Sequence, residues 1–201
     1  MPWFAPSFNI APQSVQPVVR LGRDSGNREF ALLRWGLVPF WAKDSKLAYS
    51  TINARAEEAI TKPAFREALK KRRCLVPADA FYEWKRLNAK SKKPFAIALT
   101  SNEPYAFAGL WESWRPKDGE PLETFTILTT DPNEVMAPIH NRMPVILEPK
   151  DYDRWLDAED QARPPVDLLR PYPAKRMRAW PVSDRVGNVR NNDPQLLKPT
   201  P

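Results

Sequence analysis

The high proline content of this chain restricts the folds that it can adopt. The 201 residues contain 23 prolines and 6 glycines, and the prolines are spread along the whole length. Proline fixes φ and has no N–H to donate, so it interrupts helices and the interior of sheets. A chain of this length is expected to form one domain with a substantial core. The sequence therefore predicts many short elements separated by rigid turns, and it excludes a helical bundle.

Strand-like segments outnumber helical ones. They are short, rich in aromatic and β-branched residues, and bounded by Pro, Gly, Asp or Asn. They lie at residues 17–21, 30–35, 73–76, 80–84, 95–99, 106–110, 124–129 and 144–147. The first two flank a Gly/Asp/Asn-rich turn at 22–27, which is typical of a hairpin. Helical patterns occupy 64–71, 151–157 and 166–169.

Hairpin-length loops join several of these strands. This favours an α+β fold built mainly of antiparallel β-sheets, with short peripheral helices packed outside them. Residues 1–201 are predicted to form a single domain, because no segment has the composition of a clear linker. The proline-spaced residues 193–201 are predicted to form an extended tail.

The charge balance is basic. There are 31 Lys and Arg residues against 24 Asp and Glu, which gives a net charge of +7. Such an excess suits a polyanionic partner such as nucleic acid, and a solvated surface with a cationic bias is the alternative. A polar, basic stretch at residues 85–93 separates two strand-like runs. It predicts a solvated hairpin loop, with contact to a phosphate backbone as the alternative.

The counts of cysteine and histidine exclude several kinds of site. Cys74 is the one cysteine, so the chain has neither an internal disulfide nor a cysteine-based zinc site. His140 is the one histidine, which excludes a multi-histidine metal centre. We therefore expect no metal and no cofactor. No apolar run is long enough to span a membrane, the first residues lack a signal-peptide pattern, and a cytoplasmic protein is expected.

Two polar groups stand out in strand-like sequence. Alternation along residues 52–57 would place Asn53 and Arg55 on one face, although a turn asparagine and a surface arginine explain the same spacing. Glu83 lies between two aromatic residues, Tyr82 and Trp84. Partial burial there would raise its pKa and suit general acid–base catalysis. A cross-strand partner for a lysine or arginine is the alternative for Glu83.

Two further segments could carry function. His140 lies in a loop bounded by Pro138 and Pro144, a rigid platform for a catalytic imidazole, although a structural hydrogen-bonding histidine is the alternative. Residues 35–43 interleave aromatic rings with a proline and a lysine, a pattern on which unpaired bases stack. The alternative is that Trp35 and Phe40 fill the core.

Together these segments resemble one known family, the SOS-response-associated peptidases, whose members are abasic-site DNA–protein crosslinking proteins. No single segment is decisive, but they occur in the family's order and cover nearly the whole chain. The matching segments are residues 8–12, 35–41, 52–57, 74–84, 108–111, 139–144 and 181–189.

The resemblance implies a single domain like that of the SOS-response-associated peptidases (an SRAP-like domain). It also implies that this domain senses abasic sites in single-stranded DNA during the DNA-damage (SOS) response. In the family, the ring-opened sugar presents an aldehyde, and the α-amine of an N-terminal cysteine forms an imine with it. The thiol then closes a thiazolidine ring, which gives a stable covalent crosslink. The peptidase label reflects removal of the initiator methionine or a short leader. The resemblance also implies a monomer that associates with the nucleoid when it is bound to DNA.

The resemblance also assigns residues. The catalytic set is Asn53, Glu83 and His140: Asn53 orients the N-terminal residue and the sugar, Glu83 moves protons during imine formation, and His140 assists sugar opening and reversal. The resemblance assigns contacts with DNA to four residues: Arg55, Arg142, Trp41 and Pro12.

The sequence departs from the family at the nucleophile. Family members begin Met-Cys-Gly-Arg, whereas here Pro2 follows Met1 and the Asn-Ile-Ala-Pro segment already starts at Asn9. We therefore expect the nucleophile to be absent from this chain, through truncation or as a natural short form. Cys74 does not replace it, because its nitrogen is a peptide amide. The alternatives are a non-crosslinking single-stranded DNA-binding module, a thiol peptidase using Cys74 with His140, and weak imine chemistry at an exposed Pro2.

Overall fold

A computed structural model describes residues 4–22 and 25–200 of the chain. Pro2 and its amine, one of the alternatives above, lie outside the described residues. The strands are β1 (Val15–Leu21), β2 (Arg28–Trp35), β3 (Asn53–Arg55), β4 (Arg73–Ala78), β5 (Ala80–Arg86), β6 (Lys92–Leu99), β7 (Tyr105–Trp114), β8 (Leu122–Thr130), β9 (Met143–Pro144), β10 (Ile146–Leu147) and β11 (Met177–Pro181). The α-helices are α1 (Ala56–Ala59), α2 (Arg66–Lys71) and α3 (Tyr152–Leu156). Single 3₁₀ turns occupy Ser45–Tyr49, Pro149–Asp151, Val166–Leu168, Ala174–Arg176, Asp184–Gly187 and Pro194–Leu197.

The larger of two sheets has the strand order β10-β7-β4-β1-β2-β8-β3, with β9 also paired to β8. An additional pairing of β7 with β8 closes five of these strands into a ring. Strand β8 runs parallel to β2 and β3, and the other described pairs are antiparallel. Ring closure leaves few free strand edges. The predicted α+β fold of mainly antiparallel sheets with short helices is confirmed.

The smaller sheet has the order β11-β6-β5 and packs against the larger one. Alternate residues of the large sheet, among them Cys74 and Phe107, share one hydrophobic core with Ile97 and Phe81 of the small sheet. The Phe81 and Phe107 rings meet edge to face, with centroids 5.7 Å apart. Because aromatic pairs of this geometry add to the hydrophobic gain of burial, this contact helps to fix β5 relative to the large sheet.

The intervening residues of the same strands face the helices. Leu75 and Ala108 belong to a second core with Leu69 of α2 and Trp155 of α3. Helices α2 and α3 thus pack on one face of the large sheet, and the small sheet shares the core formed by its other face. Burying one such large side chain contributes about 1.5–3 kcal/mol. The helix-covered face is therefore filled with apolar packing, and the polar residues singled out in the sequence lie elsewhere.

Most predicted strands occur, but their bounds shift. The hairpin of β1 and β2 forms as predicted, although residues 23 and 24 of its turn lie outside the described part. The predicted 144–147 strand is divided between β9 and β10, because Val145 bonds to Leu128 of β8 and also to Ala108 of β7. Strand β11 was missed, since its pairing with β6 comes from distant sequence.

The tail is not extended throughout, which corrects the prediction for residues 193–201. Asp193 accepts a hydrogen bond from the Gln195 N–H and caps the 3₁₀ turn at Pro194–Leu197. Leu196 is fully buried, and the Trp180 indole donates to the Leu197 carbonyl at 2.8 Å. Proline at the start of a turn and a capping aspartate both favour this local fold. Within the described residues, no helix is long and apolar enough to cross a membrane.

Candidate active site between the two sheets

Glu83 and His140 meet where the two sheets adjoin. Glu83 lies on β5 of the small sheet, and His140 lies in the loop that leads into β9 of the large sheet. The His140 Nδ1 atom is 4.0 Å from Glu83 Oε1. Neither residue is fully buried, because 41% of the imidazole and 26% of the Glu83 side chain remain exposed. The pair is therefore accessible to a substrate and also partly desolvated.

The environment of Glu83 changes its acidity. Burial raises the pKa of the Glu83 carboxyl above its usual range, and the nearby His140, the Trp84 N–H and Lys92 offset part of that shift. The residue directly opposite Glu83 on β6 is Phe95, so no lysine or arginine faces this carboxyl in register. A carboxyl whose neutral form is favoured can donate a proton closer to neutral pH than an exposed glutamate.

The loop holds the His140 ring by its Nδ1 atom. The Arg142 N–H lies 3.1 Å and the Arg142 carbonyl 3.2 Å from that nitrogen. A neutral imidazole can accept from the N–H, and a protonated one can donate to the carbonyl. The backbone N–H of His140 donates to Met136 O at 2.9 Å and closes the turn that precedes His140. The backbone can thus support both protonation states of the ring, and Nε2 makes no described hydrogen bond.

Asn133, which the sequence reasoning missed, organises this loop. Its Oδ1 accepts from the N–H groups of Val135 and Met136, and its Nδ2 donates to the Tyr172 carbonyl at 2.7 Å. The side chain is buried and so fixes the start of the turn that carries His140. A proline followed by an asparagine at 132–133 is a turn signal that could have indicated this role.

Arg142 is held by protein groups. Its guanidinium donates to both Glu57 oxygens at 2.7 and 2.8 Å, to Asp131 at 2.9 Å and to the Thr129 carbonyl at 2.7 Å. Only 16% of the side chain is exposed. The hydrogen bonds from Arg142 hold the pKa of Glu57 below its usual range. This geometry fits a positioning residue and gives no support to a phosphate contact for Arg142.

Asn53 and Arg55 share the exposed face of β3, with Ala54 buried between them, as the alternation predicted. Arg55 pairs in register with Thr129 of β8, and Thr129 pairs with Pro144 of β9 on its other side. The end of β8 therefore separates Arg55 from the strand that follows His140. Arg55 is 60% exposed and its one described ion pair, with Glu58, is long at 3.7 Å.

Trp41 and Pro12 are both exposed. Trp41 is 49% exposed, and its indole donates to the Pro63 carbonyl at 3.4 Å. Pro12 is exposed in the turn before β1, and that turn is tied to the 3₁₀ turn Ser45–Tyr49 by a hydrogen bond from Gln13 Nε2 to Ala48 O at 3.0 Å. This arrangement leaves the Trp41 ring available for stacking.

The alternative that Trp35 and Phe40 fill the core holds for Trp35 and is wrong for Phe40. Trp35 packs on Phe125 with ring centroids 6.3 Å apart and donates its indole N–H to Ile52 O. Phe40, in contrast, is 54% exposed, so it does not fill the core. Phe40 is thus exposed like its neighbour Trp41.

Cys74 is not a nucleophile in this fold. The residue is fully buried in β4, and burial raises the pKa of its thiol far above the usual range. A thiolate is needed for attack, so the thiol-peptidase alternative is wrong. Among the residues that the structure describes, no three His, Cys, Asp or Glu side chains are grouped so that they could hold a metal ion.

Comparisons with known proteins agree with this architecture. The family model for SOS response associated peptidase (SRAP) matches residues 1–189. The abasic site processing protein YoqW of Bacillus subtilis is 47% identical over 196 residues, which covers 97% of this chain and 87% of that protein. The abasic site processing protein HMCES of Gallus gallus is 37% identical over 227 residues, covering 98% and 67%.

Solved structures show the same fold. A crystal structure of a Bacteroides thetaiotaomicron protein superposes with a TM-score of 0.84 at 30% identity, and the match covers 94% of this chain and 82% of that one. A Bordetella bronchiseptica protein gives a TM-score of 0.74 at 32% identity, covering 87% and 86%.

Proposed function

The chain belongs to the SOS response associated peptidase family, and we propose that it processes abasic sites in single-stranded DNA. The observation that carries this proposal is the 4.0 Å approach of His140 Nδ1 to Glu83 Oε1 at an accessible junction of the two sheets. The relatives YoqW and HMCES are named abasic site processing proteins, which supports the same activity.

In this proposal Glu83 is the general acid–base group. Addition of an amine to the aldehyde of a ring-opened abasic sugar gives a carbinolamine, which must lose its hydroxyl group to become an imine. The protonated Glu83 carboxyl donates to that hydroxyl, which leaves as water. The resulting carboxylate then takes the proton that the nitrogen loses. The raised pKa of Glu83 suits this cycle, because burial favours the protonated form that the first step uses.

His140 acts on the sugar in the same proposal. The abasic sugar must open before its aldehyde is exposed, which requires a proton to leave the C1 hydroxyl and another to reach the ring oxygen. An imidazole can perform both transfers near neutral pH. Its Nδ1 is held by the Arg142 backbone, so we assign the proton transfers to Nε2. Asn53, on the exposed face of β3, orients the sugar or the attacking residue.

DNA is bound beside this pair. Arg55, which is mostly exposed, contacts phosphate, and Trp41 and Pro12 offer apolar surface for an unpaired base. We propose single-stranded DNA, since stacking on side chains requires bases that are not paired. Arg142 serves by fixing the His140 loop.

The covalent step of the family needs an amine and a thiol on one N-terminal cysteine. Buried Cys74 provides neither a reactive thiol nor a free amine. The test therefore compares two proteins on a denaturing gel, using single-stranded DNA with one abasic site. One is this chain, and the other is extended at its N-terminus to a Met-Cys-Gly-Arg start.

A covalent band with the extended protein alone is the expected result. Glu83→Gln in the extended protein should slow its appearance, and an N-terminal Cys→Ser change should abolish it. No covalent band from either protein, together with a native-gel shift, would instead make the chain a non-crosslinking DNA-binding module. Equal binding to undamaged and abasic strands would overturn the proposed function.

A further inference from the structure

Glu112 is a buried carboxyl near the end of β7 that the proposed chemistry does not use. Only 5% of its side chain is exposed. Its Oε2 accepts from the Arg72 guanidinium at 2.7 Å, and its Oε1 accepts from the Ser113 N–H at 3.1 Å. A buried ion pair adds little to stability by itself, because desolvation of the two charges offsets their attraction. The pair is therefore a candidate for a positioning role.

The same carboxyl is bonded to a turn in the loop that follows β2. This is the Pro39–Ala42 turn, which is closed by a hydrogen bond from the N–H of its last residue to the carbonyl of its first, at 2.9 Å. Burial raises the pKa of the Glu112 carboxyl, and the charge of Arg72 and a hydrogen bond from the Phe40 N–H offset part of that rise. Glu112 thus links the turn to Arg72, which lies at the end of α2.

Two neighbours of Glu112 on the paired strands hold the same loop. Thr124 of β8 lies directly opposite Glu112, and its Oγ1 accepts from the Val38 N–H at 2.9 Å. Trp114 follows two residues after Glu112 and so lies on the same face of β7. Its indole N–H donates to Ala42 O at 2.7 Å. Every second residue of the loop, from Val38 to Ala42, is therefore bonded to the ends of β7 and β8.

The tethered backbone leaves two aromatic side chains outside. Val38 and Ala42 are buried in a small core with Ala48, whereas about half of the Phe40 and Trp41 side chains is exposed. A segment that is already fixed before binding loses little conformational freedom in the complex, so more of its contact energy appears as affinity. The strand ends therefore form a rigid base for the two rings.

We propose that Glu112 is a positioning residue for DNA binding. Together with Arg72 it fixes the Pro39–Ala42 turn, and the turn presents the rings of Phe40 and Trp41 to unpaired bases. This inference rests on the proposed function. It adds a residue outside the segments that carry the family resemblance, since the nearest of them ends at residue 111. Glu112 itself touches no DNA and acts through the turn.

The first measurement needs no DNA. The pair variant carries Arg72→Met and Glu112→Leu, because exchanging both members of a buried ion pair for apolar residues costs less stability than removing one. Glu112→Gln is the milder variant, which keeps an oxygen for the Phe40 N–H but loses the charge that strengthens the bond. Hydrogen exchange of the Phe40 amide, followed by NMR, should be at least about tenfold faster in the pair variant and intermediate in Glu112→Gln.

The second measurement is DNA binding. A labelled single strand carrying a tetrahydrofuran abasic analogue, which has no aldehyde, is titrated by fluorescence anisotropy. The pair variant should bind at least about fivefold more weakly than wild type, which is the lower end of the contribution of one stacked base. In a chain that already carries Phe40→Ala and Trp41→Ala, the same pair of substitutions should change affinity by less than about twofold, because the rings that Glu112 positions are gone.

A matched control lowers stability away from the turn. Leu196→Ala truncates a fully buried side chain in a separate core with Ala96 and Val186, so it should lower Tm and keep the wild-type affinity for DNA. If the pair variant melts below the assay temperature, Glu112→Gln takes its place in both measurements.

Three results would each overturn the positioning role of Glu112. These are an unchanged exchange rate of the Phe40 amide, wild-type affinity in the pair variant, and an equal loss of affinity with and without the two rings. The proposed function is tested separately, by comparing abasic and undamaged strands with the wild-type protein. Equal binding to those two strands would remove the proposed function whatever the exchange rate of the Phe40 amide.

Discussion

Arg142 donates two hydrogen bonds to the Glu57 carboxylate, at 2.7 and 2.8 Å, and so joins the loop that carries His140 to the helix that follows β3. Both residues lie in segments that resemble the family, residues 52–57 and 139–144. Their ion pair, however, follows only from the three-dimensional structure. The ion pair makes the position of the imidazole depend on residues far away in sequence. Predictions about Arg142 and its neighbours follow from this dependence.

Replacing Arg142 should affect stability more than phosphate binding. Arg142→Ala removes hydrogen bonds to Glu57, Asp131 and Thr129 O from a side chain that is only 16% exposed. We expect a loss of about 2 kcal/mol in unfolding free energy, which lowers Tm by about 4–8 °C in a domain of this size. Thermal melting measures this, and the salt slope of DNA binding should stay at its wild-type value.

Replacing Arg55 should affect phosphate binding more than stability. Its side chain is 60% exposed, so Arg55→Ala should change Tm by no more than about 1–2 °C. The slope of log Kd against log salt should fall by about 0.7, the share of one phosphate contact on a single strand. A variant that melts early but keeps the full slope would show that Arg55 is structural.

Trp41 should contribute stacking. Trp41→Ala removes an exposed ring and should weaken binding of single-stranded DNA by about 1–3 kcal/mol, with little change in the salt slope. Trp41→Phe retains a ring and should recover most of the affinity. Equal affinity for wild type and the alanine variant, measured by anisotropy, would remove Trp41 from the DNA surface.

The Glu83 carboxyl should lower the free energy of unfolding at neutral pH. Burial raises its pKa, so the folded state binds the proton more tightly than the unfolded state does. The resulting stabilisation is complete below the unfolded pKa of about 4.3 and is lost as pH rises through the folded pKa. Glu83→Gln should therefore raise Tm at neutral pH by up to about 2–4 °C.

The two Tm values should converge below about pH 4, where wild-type Glu83 is protonated. In the N-terminally extended protein, the same substitution should slow crosslinking by about 10²- to 10⁴-fold, the usual contribution of a general acid–base group. A higher Tm without slower crosslinking would mean that the buried carboxyl has no part in the chemistry.

Arg73 should be among the residues most important for folding. It is buried and donates to the carbonyls of Leu69, Lys70, Trp155 and Asp157, so it ties the ends of α2 and α3 to β4. Arg73→Met leaves these carbonyls without a donor and should cost about 3–5 kcal/mol. Denaturant melts measure this loss.

The neighbouring Lys71→Met serves as the control for Arg73, since Lys71 is 46% exposed and makes only a long ion pair with Glu67, at 3.7 Å. We expect its unfolding free energy to stay within about 0.5 kcal/mol of wild type. Similar losses in the two variants would assign the effect of Arg73→Met to the added methionine.

Much of the local structure follows from the sequence. Short aromatic and β-branched runs between prolines and turn residues identified most strands, because pleat alternation and proline chemistry act over a few neighbouring residues. The same locality placed Asn53 and Arg55 on one face of a strand. It also indicated that a carboxyl between Tyr82 and Trp84 would be desolvated, and the pKa of Glu83 is raised by burial.

Other features depend on contacts between distant segments. Local patterns could not identify β11, because it becomes a strand by pairing with β6. They could not show that Arg142 is held by Glu57 and Asp131, and so they could not separate its role from that of Arg55. Nor could they decide that Phe40 lies outside the core while Trp35 lies against it.

Most of the element types, the basic charge and the candidate acid–base residues could be read from the amino-acid sequence, since each depends on side-chain identity and near neighbours. The folded arrangement was needed to show that Glu83 Oε1 on the small sheet lies 4.0 Å from Nδ1 of His140, in the loop that leads into β9 of the large sheet. It also set the register of the β5–β6 hairpin, in which Glu83 lies opposite Phe95. Burial and electrostatic coupling depend on distances in space, and the packing of the two sheets sets those distances.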